Sequence, residues 1–111
     1  GFDLVADLTG LEQRLAGADL VLTGEGRTDG QTAGGKVCAG VARLAAAHDV
    51  PCVVLSGAIT GDLAPLYAAG VTAAFSIARE PRSLAAAMTA AADDLQAAAR
   101  DVVGLCGRGA R

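Results

Sequence analysis

Aromatic side chains are nearly absent: the 111 residues include no Trp, one Tyr and two Phe. A core without rings must be assembled from Ala, Val and Leu, which suits helices lying close on a sheet. The same scarcity leaves little to stack on an isoalloxazine ring, so a flavin domain is disfavoured. Lysine is rarer still, since Lys36 is the only one beside eight Arg. The net charge is −3 and no stretch interleaves basic and aromatic residues, which argues against a nucleic-acid surface. No apolar run approaches the ~20 residues of a membrane helix, and no secretory leader opens the sequence. A cytoplasmic protein is expected. The three cysteines, Cys38, Cys52 and Cys106, are odd in number and fit no metal-binding spacing. They are expected to be reduced, partly buried thiols. Gly1 stands where an initiator Met would, and the pattern begins at once, as in a piece cut from a longer protein.

What is present is a 52% hydrophobic composition of one domain's length. Leu4, Leu8, Leu11 and Leu15 recur at helical spacing, predicting a helix over 4–16 capped by Asp3 and weakened in the middle by Gly10; a strand at 3–7 is the alternative. Three continuous apolar runs follow, at 18–23, 51–56 and 71–76, the first two ended by Gly24 and Gly57. Runs of this kind predict strands buried on both faces, as in a parallel sheet. Helices are expected between them: 33–48 with Val37, Val41 and Leu44 on one face, and 62–69 stopped by Gly70. Ser83 is placed to cap a long Ala-rich helix to about 103, with Leu84, Met88, Ala91, Leu95 and Val102 as its stripe. The tail 104–111 is expected to fray. The alternation predicts right-handed crossovers and an open, doubly wound α/β sheet of the Rossmann or flavodoxin kind. Ligands bind such sheets outside the carboxyl ends of the strands, here the expected loops 24–32, 57–61 and 77–82.

The segment from Thr23 to Lys36 carries the chemistry. Its five glycines, Gly24, Gly26, Gly30, Gly34 and Gly35, clear side chains from the backbone, and amides at a helix start attract anions. Arg27 offers a planar fork to a phosphate and Lys36 a compact charge. Glu25 and Asp29 are suited to hold Mg²⁺ or to take a proton from a hydroxyl. Gly30 to Lys36 spells G-x-x-x-x-G-K, but Val37 replaces the metal-binding Ser or Thr of an ATPase P-loop. The dinucleotide fingerprint fails as well, because Asp29 occupies its third glycine position. An Arg27–Asp29 ion pair bracing the loop is the structural alternative. Ser56 and Gly57 end a strand on the ligand side and either line the site or form a plain turn. His48, alone near a helix C-terminus, is read as a dipole partner rather than a base.

The stretch Gly17-Ala18-Asp19-Leu20-Val21-Leu22-Thr23-Gly24-Glu25-Gly26-Arg27-Thr28-Asp29-Gly30-Gln31-Thr32, followed by Gly35-Lys36, closely resembles the signature of the class I glycerate kinases. Phe2-Asp3-Leu4-Val5 with Leu8-Thr9-Gly10 resembles the approach to that signature. Val50–Gly57 and Tyr67–Val71 resemble its later strand and helix, so the likeness covers 1–103. Two departures are small: Thr28 where Leu or Ile is common, and Ala33-Gly34 where larger residues are common. The resemblance implies phosphoryl transfer from MgATP to D-glycerate, giving 2-phosphoglycerate or 3-phosphoglycerate. It also implies that 1–103 is the C-terminal part of a larger two-domain enzyme, whose absent N-terminal part completes the site. Asp29, Arg27 and Lys36 are the expected catalytic residues. Gly24, Glu25, Gly26, Thr28, Gln31, Thr32, Ser56 and Gly57 are expected at the substrate and phosphates, and Glu25 with Asp29 at Mg²⁺. The rival reading is a non-catalytic α/β module that binds a nucleotide or phosphorylated acid without turnover.

Overall fold

The computed structural model describes residues 10–29 and 35–109, with Lys36 and Arg108 described by their backbone alone. In chain order the elements are α1 (Leu11–Ala16), β1 (Val21–Asp29), α2 (Gly35–Ala47), β2 (Cys52–Thr60), α3 (Ala64–Ala68), β3 (Ala73–Ser76) and α4 (Leu84–Gly109). The three strands form a parallel sheet in the order β1-β2-β3. The α/β expectation therefore holds. These strands follow one another across the sheet, so a reversal of strand order of the kind that defines a doubly wound sheet does not fall among them.

Both faces of the sheet are covered at β2. Cys52 and Val54 belong to the main core with Leu15 of α1, Cys38, Ala42 and Ala45 of α2, Leu66 of α3, Val50 and Val71. Val53 and Leu55 are equally buried but stand outside that core, because alternate residues of a strand point to opposite faces. They lie toward α4, which packs on β2. Small residues carry the contact between α2 and the sheet, and this corrects the expected helix face: Cys38, Ala42 and Ala45 are buried, whereas Val37 is 61% exposed. Val41 and Leu44 pack at the margin of the core. A helix that approaches a sheet on Ala and Cys comes closer than one resting on Val, so the larger side chains are displaced to the flanks.

The ends of α2 and α3 share one design. After α2, Asp49 N–H donates to Ala46 O at 3.1 Å and Val50 N–H to Ala45 O at 2.9 Å. After α3, Gly70 N–H donates to Tyr67 O and Val71 N–H to Leu66 O, both at 3.1 Å. Each is a Schellman turn with a left-handed residue, Asp49 at φ 57° and Gly70 at φ 113°, followed by a buried Val that enters the next strand. Gly70 is required twice over, since a Cβ there would also lie 2.7 Å from Ala42 O on α2. At the other end of the chain, Ser83 caps α4 as expected, its Oγ accepting from Ala86 N–H at 3.2 Å. Arg82 reaches Asp94 at 2.9 Å and Arg79 reaches Asp101 at 3.1 Å, tying the segment after β3 along α4.

Several expected boundaries move. Gly10, expected inside the first helix, stands at its N-cap with φ 65°; residues 4–9 lie outside the described part. The predicted stripe of α4 is split: Leu84, at 78%, Met88, at 71%, and Leu95 are exposed, while Ala91 and Val102 are half-buried and Asp94 faces the fold. The helix also continues to Gly109 where a tail was expected from Gly104. Gly104 and Gly107 weaken it but leave it unbroken, with half-buried Val102 and Cys106 carrying its inner side. The largest shift is at the site. β1 and β2 do not stop at Gly24 and Gly57 but run to Asp29 and Thr60, so much of two expected loops is strand.

Candidate functional site at the end of the first strand

Gly24 and Gly26 are strand residues of β1, and the backbone of Gly26 is crowded from β2 by Gly57. A Cβ on Gly57 would lie 2.6 Å from Gly26 O, an approach that no side chain permits. The ladder pairs Glu25 with Ser56 and Arg27 with Ala58, passing over Gly26 and Gly57, and then continues through Thr28–Ile59 to Asp29–Thr60. Alternation breaks at this point. Thr28, three residues after Glu25, is fully buried and turns back to the face that carries Glu25 and Ser56.

A row of polar residues results, crossing the carboxyl end of the sheet. Glu25 of β1 pairs in register with Ser56 of β2, which pairs with Ser76 of β3. Thr28 Oγ1 donates to Glu25 Oε2 at 3.3 Å and is hydrogen-bonded to Ser56 Oγ. Ser56 O accepts from Ile77 N–H at 2.8 Å. Behind this row Thr23 Oγ1 lies 3.5 Å from Cys38 Sγ, in the second turn of α2. Burial pushes the Cys38 thiol up to about 11 and outweighs the Thr23 hydrogen bond that lowers it; the nearby Glu25 carboxylate adds to the rise. Cys52 is raised by burial too. Both thiols are protonated at neutral pH, so neither is a nucleophile.

Of the residues expected at the site, Glu25 is half-buried, Arg27 exposed and Asp29 half-buried, all within the last five residues of β1. Asp29 is engaged in an interaction of its own. Gly24, Gly26 and Gly57 present exposed backbone. Thr28 and Ser56 are at the site but 0% exposed, so their side chains face one another and not a ligand. Lys36 stands in the first turn of α2; its side chain, with Gln31 and Thr32, lies outside the described residues. His48 pairs with Glu12 of α1 at 3.1 Å and serves to join two helices. No three potential metal ligands cluster among the described residues. Mg²⁺ does not need such a cage, since it is commonly held by one or two carboxylates with phosphate oxygens and water. Glu25 and Asp29 are carboxylates of that kind at the end of β1. No helix among the described residues is long and apolar enough to cross a membrane.

Sequence reasoning named Thr28 and Ser56 but not their contact with one another, and it missed the Thr23–Cys38 contact and Ser76. The strand starts gave no usable signal: apolar runs beginning at 18 and 51 would set Thr23 opposite Ser56, whereas Val21 pairs with Cys52 and sets Glu25 there.

Comparison with known proteins shows the family. The model of the glycerate kinase family matches residues 1–107. The chain is 40% identical over 102 residues to a glycerate kinase of Bacillus subtilis strain 168, covering 92% of this chain and 27% of that protein. It is 32% identical over its whole length to glycerate 2-kinase of Escherichia coli K12, of which it covers 29%. A crystal structure of a provisionally assigned glycerate kinase 2 from Salmonella typhimurium LT2 superposes with a TM-score of 0.70 at 33% identity, over 99% of this chain and 27% of that one. The chain thus spans somewhat over a quarter of the relatives it matches. On its sequence, its fold and the full extent of the match, the chain belongs to the glycerate kinase family.

Proposed function

We propose that this chain is part of a cytoplasmic, ATP-dependent kinase that phosphorylates D-glycerate, giving 2-phosphoglycerate or 3-phosphoglycerate. The observation that carries the reading is the end of β1, where Glu25, Arg27 and Asp29 stand within five residues at the carboxyl end of a parallel sheet. Family membership supplies the substrate class.

Phosphoryl transfer asks a protein for positioning and for neutralisation of charge. Arg27 and Lys36 steady phosphate oxygens or the glycerate carboxylate, and the backbone of Gly24, Gly26 and Gly57 lets an anion approach closely. Asp29 orients or deprotonates the attacking hydroxyl, or shares Mg²⁺ with Glu25. Mg²⁺ supplies charge neutralisation at the transferring group. Gln31 and Thr32 belong to the same substrate-binding stretch.

The test is glycerate-dependent ATP consumption by the natural protein expressed from its own gene, with phosphorus NMR of the product to distinguish the two phosphoglycerates. Asp29→Asn should lower turnover by about 10²-fold or more while leaving the thermal transition in place. A wild-type protein that consumes no ATP with glycerate would sink the reading. The second reading is a binding module without turnover. Binding of MgATP and D-glycerate with no product would favour it.

A further inference from the structure

We infer that Thr28 and Ser56 are positioning residues that aim the Glu25 carboxylate through a one-way hydroxyl relay. The inference rests on the kinase reading and reassigns two residues expected at the ligand.

Hydrogen counting sets the direction of the relay. A carboxylate only accepts, so the contact between Thr28 Oγ1 and Glu25 Oε2 spends the single Thr28 proton. The adjoining Thr28–Ser56 contact then has one donor left, the Ser56 O–H. The order is Ser56 to Thr28 to Glu25. Both hydroxyl side chains are 0% exposed, so neither water nor substrate competes for them. Ser56 is fixed in turn by its place in the ladder and by the Ile77 N–H on its carbonyl.

The Thr28–Glu25 contact, at 3.3 Å, is long for an O–H···O bond, so it contributes direction more than energy. The contact engages Oε2 and leaves Oε1 outside the relay. The close approach of Gly26 and Gly57 is what allows Thr28 to fold back over Ser56. In this view the signature glycines shape the carboxylate's support as well as clearing room for an anion.

The decisive variant is the double substitution Thr28→Val with Ser56→Ala. Replacing both members of a buried hydroxyl pair by apolar groups of similar shape can be nearly neutral for stability, whereas Thr28→Val alone strands the Ser56 hydroxyl. In the natural protein, assayed for glycerate-dependent ATP consumption, the double variant should keep its melting temperature within about 3 °C of wild type. Its kcat should nonetheless fall roughly tenfold to a hundredfold, with KM for glycerate nearly unchanged. Thr28→Ser keeps the donor and should restore kcat to within about threefold. A double variant that recovers kcat along with stability would overturn the relay, and so would a loss expressed in KM alone. A failure of Thr28→Ser to rescue a stable protein would overturn it as well. An inactive wild type overturns the kinase reading first and the relay with it, so the two failures are separable.

Discussion

Cys38 is the residue whose environment makes the sharpest pH prediction. Its thiol is held at about 11 in the fold against an ordinary 9.0, chiefly by burial. Above pH 9 the unfolded chain releases this proton while the folded chain keeps it, so stability is complete below pH 9 and declines as pH rises toward 11. Two pH units correspond to about 2–3 kcal/mol, an order-of-magnitude figure. Urea titrations at pH 8 and 11 should show that loss, and Cys38→Ala should reduce it, leaving the share of the buried Cys52 thiol, which burial also raises. An equal decline in Cys38→Ala would place the titrating group elsewhere. At this scale the sequence displayed the ionic equipment of the site plainly, because Arg27, Asp29 and Lys36 sit in a glycine-rich setting that few other uses require. It could not display which hydroxyls are buried. Ser56 and Ser76 are alike on paper, and only the register and the fold-back at Gly26 make one internal and the other exposed.

The elements were legible in kind and misread in extent. Continuous apolar runs announced three parallel strands, since burial on both faces demands them. Glycine punctuates chains, so Gly24 and Gly57 read as strand ends, yet both strands continue, and at Gly57 the missing Cβ admits a close approach between them. The paired Schellman turns predict opposite signs for opposite substitutions. Asp49→Gly removes a Cβ from a left-handed position and should stabilise by about 0.5–1 kcal/mol. Gly70→Ala adds one where φ is 113° and Ala42 O stands 2.7 Å away, and should destabilise by about 2–4 kcal/mol. Chemical denaturation of both variants checks the pair. Equal effects would mean that the two turns, alike in hydrogen bonding, are governed by something other than backbone handedness.

At the scale of the whole molecule, the outward face of α4 stands out. Leu84, Met88, Leu95, Val103 and Leu105 are all exposed, as is Phe75 on β3. Of the expected stripe, Leu84, Met88 and Leu95 are exposed and Ala91 and Val102 half-buried, so the helix divides its apolar residues between the fold and the outside. An uncovered apolar face on a chain spanning 27% of a relative's length predicts self-association. The 111-residue chain should show an apparent mass that rises with concentration in sedimentation equilibrium, and Leu84→Gln with Met88→Gln should reduce it. A concentration-independent monomer would show that this face is tolerated in water.

The order β1-β2-β3 has a consequence for how the fold comes into being. Among the three described strands, each pairs with its neighbour in the chain. Closing each pairing requires only the loop and helix between, and the entropic cost of closure grows slowly with such short separations. These three strands can be laid down in the order in which a ribosome delivers them, β1 and the site at its end before the other two.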